Sequence, residues 1–355
     1  MDKIGIVYGE EIANYDFSDQ AVGGDKFPHY YKILESKRIL DKFGIKVFEP
    51  KTAMDKDLLL VHSREYIDYV EKTAKNHGYL DEDMLLTPEN VEAVRLIVGA
   101  ALMAGELIIN DNFDLVQAVG GGLHHAGRDH GGGFCVYNDV AICAKALIER
   151  HKLKRVLVFD TDAHAGNGTM EIFYRDPRVL TLSVHEDPRF QFPGSGFVYQ
   201  IGEDAGRGYS VNVPLPSGAG DACMMRVLGR VFKPIVEQFD PEIIIRTGGA
   251  DPHFQDDLAG LSLTFRGLWD IGRRVRDIAQ VSNSKVVDLI CSGYNPGTEE
   301  QGLYSLFCGL LGAELDIVES SVPHVTNNVL VETDRVIDDL ANILEPFWNL
   351  GKKKL

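Results

Sequence analysis

The sequence predicts a doubly wound α/β fold, a mainly parallel sheet covered by helices, and two observations carry that prediction. Short apolar runs rich in β-branched residues alternate with stretches of helical periodicity, and several runs are apolar on both alternating positions, as strands buried on both faces must be. Reactive side chains also gather beside glycine at the carboxyl ends of four of these runs, which is where open α/β sheets build their sites.

In chain order the expected strands are residues 3–8, 46–48, 115–119, 155–160, 179–184, 209–213, 242–247 and 285–290. Thr87 is placed to cap a helix that opens on Pro88 and runs to Ile109, because proline at the first helical position gives up an N–H that would be unpaired anyway. By the same signal Thr333 is expected to cap a C-terminal helix ending near Phe347. No proline-rich or serine-rich linker, low-complexity tract or internal repeat interrupts this alternation, so residues 1–355 are expected to form one domain.

With 45% hydrophobic and 25% charged residues, the chain can bury a large core. The five cysteines are odd in number and show no Cys-x-x-Cys spacing, which argues against a disulfide framework and for a reducing, cytoplasmic setting. The N-terminus lacks the basic and long apolar regions of a signal peptide, and no apolar run reaches membrane-spanning length. A net charge of −17 argues against direct nucleic-acid binding and would attract cationic ligands.

The central motif is Asp160-Thr161-Asp162-Ala163-His164, which follows an apolar run and precedes Gly166-Asn167-Gly168. A carboxylate and an imidazole two residues apart at a strand end can turn toward one ion, and these ligand types suit zinc or another borderline divalent metal. Three further strand ends lead into His124-His125, Asp251 and Gly293-Tyr294. Taken singly, each has an ordinary explanation: packing for a histidine pair, a helix cap for an Asp, a core position for a Tyr. Together at the ends of strands in one sheet, they read as a metal-hydrolase site.

Residues 121–142, GGLHHAGRDHGGGFCVYNDVAI, are followed in order by VLVFDTDAHAGNGTMEIFY, LTLSVHEDPRFQFPGSG, GYSVNVPLP, GGADPHFQDDLAGLSLT and SGYN. From about Val7 to the 310s this pattern resembles the histone deacetylase superfamily, which includes acetoin-utilisation proteins and acetylpolyamine amidohydrolases. The resemblance implies the three-layer arginase-deacetylase fold, with an eight-stranded mainly parallel sheet flanked by helices. It also implies a zinc-dependent amidohydrolase acting on the acetyl or acyl amide of lysine side chains, small amines or polyamines. By position it makes Asp162, His164 and Asp251 the ligands of one Zn2+, with Fe2+ an alternative. His124 and His125 become a tandem pair supported by Asp160 and Asn167, with His125 the main general base and acid, and Tyr294 the oxyanion donor.

The same resemblance lines the substrate's apolar stem with Gly133, Phe134, Phe192 and Leu258. It puts the rim carboxylate that grips substrate at Asp81 or Asp83, of which Asp83 is taken. A structural K+ or Na+ is implied around Asp160, Asp162, His164, Ser183 and Val184, and a second near Phe173, Asp176, Val179 and Tyr209. The chain departs from the family pattern at Ala165, at Cys291-Ser292 before the tyrosine, and in residues 18–31, where the His-Pro and Arg that usually line an interior channel are not evident. A homo-oligomer is left open, as are two other readings: a binuclear ureohydrolase of the arginase type, and a non-catalytic sensor or scaffold that binds acylated ligands.

Overall fold

A computed structural model describes residues 3–17, 23–82 and 84–350. Eight strands, β1 (Ile4–Val7), β2 (Lys46–Phe48), β3 (Leu115–Val119), β4 (Val156–Asp160), β5 (Val179–Glu186), β6 (Ser210–Leu215), β7 (Ile243–Thr247) and β8 (Lys285–Ile290), form one sheet in the order β2-β1-β3-β8-β7-β4-β5-β6. All of its pairings are parallel. Every residue of β3, β4, β5, β6 and β7 is buried, as the uninterrupted apolar runs require when helices cover both faces.

The edges differ from the centre for physical reasons. β2 is three residues long with Lys46 and Val47 exposed, a short charged edge that offers little to a foreign strand. β6 closes the other edge and continues through Pro214, whose missing N–H costs nothing where no further strand pairs.

The helix Pro88–Asn110 packs against β1, β3 and β8, and its Thr87 cap is reciprocal: Asn90 N–H donates to Thr87 Oγ1 at 3.2 Å and Thr87 N–H donates to Asn90 Oδ1 at 2.8 Å. The C-terminal helix departs from expectation. It spans Asn327–Leu344 and is capped by Thr326, while Thr333 lies inside it, fully buried, with its hydroxyl donating to the Val329 carbonyl at 2.8 Å. A threonine within a helix satisfies itself on the preceding turn in this way.

Topology explains how distant motifs meet. The contiguous central strands β3, β8, β7 and β4 are the four whose carboxyl ends carry the histidine pair, the tyrosine loop, Asp251 and the Asp-x-Asp-x-His run. A buried polar row crosses three of them: the Tyr30 hydroxyl donates to Gln117 (2.6 Å), Gln117 donates to Asp288 (2.7 Å), Asp288 pairs with Arg246, and Arg246 donates to the Gly248 carbonyl (3.0 Å). Gln117, Asp288 and Arg246 are register partners across β3, β8 and β7, so the row ties the sheet to the turn before Asp251.

Candidate metal centre and active site

The loop after β3 is anchored from below before it delivers its histidines. Gly122 and Leu123 donate their backbone N–H groups to the buried carboxylate of Asp139, at 3.0 Å and 2.7 Å, and Asn138 donates to the carbonyls of His124 and Ala126. The His124 Nδ1–H donates to Asp160 at 2.6 Å, the His125 Nδ1–H donates to the Asn167 amide oxygen at 2.7 Å, and the two Nε2 atoms lie 3.0 Å apart. The pair is electrically unequal. Burial works against a charge on His124, but Asp160 and Asp162 outweigh it and raise the ring to about 9. Burial, then the neighbouring His124 and His164, hold His125 well below the ordinary histidine range. One ring therefore carries charge and its neighbour is a neutral acceptor.

Asp162, His164 and Asp251 are buried and bring ligand atoms within 4.8 Å of one another; it is the one such cluster among the described residues. His164 Nδ1 lies 3.1 Å from an oxygen of each carboxylate. The other contacts fix the ligands: Ser292 Oγ donates to Asp251 Oδ1 at 2.7 Å, Ala163 N–H to Asp251 Oδ2 at 2.9 Å, and Asp162 N–H to Asp160 Oδ1 at 3.1 Å. Burial would lower His164, yet the two carboxylates hold its proton on well above the ordinary range, and burial with the Asp162 charge raises Asp251. Two buried carboxylates balanced by one imidazole form a site short of positive charge, and an oxygen and nitrogen donor set of this kind suits a divalent cation. Three protein ligands would leave room for water and substrate.

A cavity of about 330 Å3 leads to this cluster, lined by Gly133, Phe134, Phe192, Leu258, His125 and Tyr294 among others. Phe192 stands edge-on to His125, ring centroids 4.9 Å apart. Gly133 has φ +54, and a Cβ there would meet His125 at 2.6 Å and Phe192 at 2.7 Å, so a bare backbone is required between the walls. Tyr294 is half-buried, edge-on to His164 at 6.1 Å, and its N–H donates to Asp256 at 2.9 Å. Burial, then Asp162 and Asp251, push its phenol well above the ordinary range, so it remains a donor. Asp81 lines the mouth, whereas Asp83 lies outside the described residues.

The residues assigned to cation binding are also placed. Asp160 is the register partner of Ser183 across β4 and β5, next to Val184, and the Ser183 hydroxyl contacts His185 at 2.8 Å. At the second location Asp176 is held by Lys145 at 3.0 Å and Arg178 at 2.7 Å, and Lys145 stands 5.3 Å over the Phe173 ring.

Lys26 was missed by sequence reasoning. It is 1% exposed, donates to the Gly293 carbonyl at 3.0 Å, lies 3.8 Å from Glu299, and stands 5.4 Å from the centre of the Tyr294 ring. Together with Tyr15, whose buried hydroxyl has no partner among the described residues, it lines a small chamber of about 20 Å3 behind the cluster. Asp256 and Ser292 were missed as well. Only their nearness to Tyr294 and Asp251 in space gives them away.

Comparison with known proteins places the chain beside one family over most of its length. Residues 24–310 match the family model described as Histone deacetylase domain. The chain is 35% identical over 306 residues to the acetoin utilization protein AcuC of Staphylococcus aureus, covering 82% of this chain and 77% of that protein. It is 30% identical over 362 residues to a probable deacetylase of Archaeoglobus fulgidus, covering 98% and 99%. The crystal structure of the HDA15 HD domain superposes with a TM-score of 0.86 at 26% identity, over 98% of this chain and 95% of that one.

Proposed function

Since this chain belongs to the histone deacetylase family, we propose that it is a metal-dependent deacetylase that hydrolyses the acetyl or acyl amide of a lysine side chain, a small amine or a polyamine. The observation that carries this reading is convergence: the neutral ring of His125, the Tyr294 hydroxyl and the three candidate ligands meet at the inner end of one aromatic-walled cavity.

Asp162, His164 and Asp251 would hold one divalent ion, zinc or iron(II), which when bound supplies Lewis acidity toward the acyl carbonyl and the attacking water. The amide's aliphatic stem lies between Phe134 and Phe192, whose walls exclude water and set its direction. His125, with its Nδ1–H committed to Asn167, keeps its lone pair on Nε2 and takes the proton of the attacking water there. The charged His124, held by Asp160, stabilises negative charge beside it. Tyr294 donates its O–H to the oxyanion, and the proton on His125 then passes to the departing amine, giving carboxylate and free amine. Asp81 at the mouth supplies an acceptor for the polar part of the substrate.

The test is carboxylate release from acetyl-lysine peptides and acetylated polyamines by zinc-loaded protein. Tyr294→Phe is expected to lower kcat by roughly 100-fold or more while zinc still binds, and Asp251→Ala to abolish both zinc binding and turnover. One zinc bound per chain with no turnover on any amide would refute the enzyme and favour an acyl-ligand sensor.

A further inference from the structure

We propose that Gln191 is a specificity-determining residue of the acyl-amide site: its side-chain amide latches together the two loops that carry Phe192 and Leu258, and so holds the entrance to the width of an unbranched stem. The inference rests on the deacetylase reading above and adds to it the shape of substrate that the entrance admits.

The need for a latch follows from exposure. Phe192 is 48% and Leu258 40% exposed, though both line the cavity. A core side chain is fixed by close packing on every side, whereas half-exposed walls have solvent behind them and stand where their backbone puts them. Regular structure does not hold that backbone, since neither residues 187–203 nor residues 248–264 form a helix or strand.

Gln191 and Glu186 supply the tie. Glu186 is the last residue of β5 and is buried, and its Oε2 accepts the Gly260 N–H at 2.6 Å and a Gln191 Nε2–H at 3.3 Å. The same Gln191 nitrogen donates to the Leu258 carbonyl at 2.7 Å, while Gln191 Oε1 accepts the Phe192 N–H at 3.0 Å. One side chain therefore bonds to the backbone of both walls. A buried carboxylate is costly without donors around it, so Glu186 favours the closed arrangement from below. The tie also reaches the chemistry, because Asp256 accepts the Leu258 N–H on one oxygen and the Tyr294 N–H on the other, each at 2.9 Å. Residues 256–260 are thus pinned between the oxyanion donor and the Phe192 loop.

Selection by shape is the consequence. On its inner side the Phe192 ring stands against Gly133 and His125 and cannot retreat. A stem that carries an extra methyl has to part Phe192 from Leu258, which breaks the latch.

The experiment compares kcat/KM of zinc-loaded protein on an acetyl-lysine peptide and on the same peptide with a γ-methyl branch on the acetyl-lysine stem. The wild type is expected to prefer the unbranched stem by about tenfold or more. Gln191→Met keeps the length and removes the donor, and Gln191→Glu sets a carboxylate against Glu186; in both, the preference should fall to about twofold, with KM for the unbranched peptide raised and kcat within about threefold. Amide hydrogen exchange over residues 256–262 should quicken about fivefold in Gln191→Met. Gln255→Met, at an exposed position on the Leu258 loop, should leave preference and exchange unchanged. An unaltered preference in an active Gln191 variant, or an equal loss in Gln255→Met, would overturn the proposal. Wild-type protein that hydrolyses neither peptide would instead refute the deacetylase reading; exchange alone then decides the latch, and equal rates in wild type and Gln191→Met would overturn it.

Discussion

Burying the ammonium of Lys26 costs several kcal/mol of lost hydration, and what surrounds it shows where that cost is offset. Its contacts are the Gly293 carbonyl and Glu299, one on each side of Tyr294 in sequence. Burial raises Glu299 to about 7 against the lowering effect of Lys26, so this carboxyl does not hold the lysine alone and the carbonyl bond matters. Gly293 has φ +137, a conformation that fixes how the next residue enters the site. Lys26 is thus a positioning residue for Tyr294. Lys26→Met keeps the stem and removes the donor; kcat on an acetyl-lysine peptide is expected to fall by roughly ten- to 100-fold with KM within about twofold, and Lys26→Arg to recover part of the loss. A change in KM with kcat intact would mean that Lys26 serves binding instead. Nothing local in the sequence marks this residue. A lysine in an amphipathic stretch reads as a surface residue until its helix docks against a loop 267 positions away. The metal-ligand candidates are legible for the opposite reason, because Asp162 and His164 share one strand end and carry their chemistry two positions apart.

Between elements, two helices pack backbone to backbone beside that same tyrosine loop. The helices Phe265–Ser282 and Glu299–Leu311 cross on glycine: a Cβ on Gly272 would meet the Leu306 carbonyl at 2.1 Å, and one on Gly309 would meet the Trp269 carbonyl at 2.1 Å. Backbone cannot yield as a flexible side chain can. Gly272→Ala is therefore expected to destabilise the fold by about 3 kcal/mol or more in urea unfolding. Gly229→Ala, exposed on a helix with open space around it, should be neutral or stabilise by up to about 1 kcal/mol. Equal effects would show that the helix crossing is not close. Strands proved easier to read than caps. The central ones were found within a residue because burial on both faces leaves an apolar run with polar ends, as in β4 and β7. Two edge-side strands run further than expected, β5 to Glu186 and β6 to Leu215, because pairing carries them past the apolar run. Thr326 and Thr333 carry the same capping signal, and only tertiary burial of Thr333 decides between them.

Across the whole molecule, buried neutral histidines couple stability to pH. His62 accepts the Asn138 N–H at 3.0 Å on Nε2, and burial lowers it to about 4; burial lowers His185 to about 4 as well. For each, the unfolded chain takes up a proton near 6.5 while the folded protein does not until near 4. Stability is therefore fully present above about pH 6.5 and declines as pH falls toward 4, by up to about 3 kcal/mol per histidine. Acid also protonates the candidate metal ligands, and loss of a bound ion would lower stability in the same direction, so a falling urea midpoint in the wild type alone cannot assign the cause. His62→Gln separates the two. Its amide oxygen can still accept the Asn138 N–H, it cannot titrate, and it leaves Asp162, His164 and Asp251 untouched. With zinc saturating, the gap in unfolding free energy between wild type and variant is expected to shift in favour of the variant by about 1 kcal/mol or more between pH 7 and pH 5.5. A gap independent of pH would mean that His62 takes up its proton as readily in the folded protein as in the unfolded chain, and that the acid sensitivity of this fold resides elsewhere, at His185 or at the candidate metal ligands.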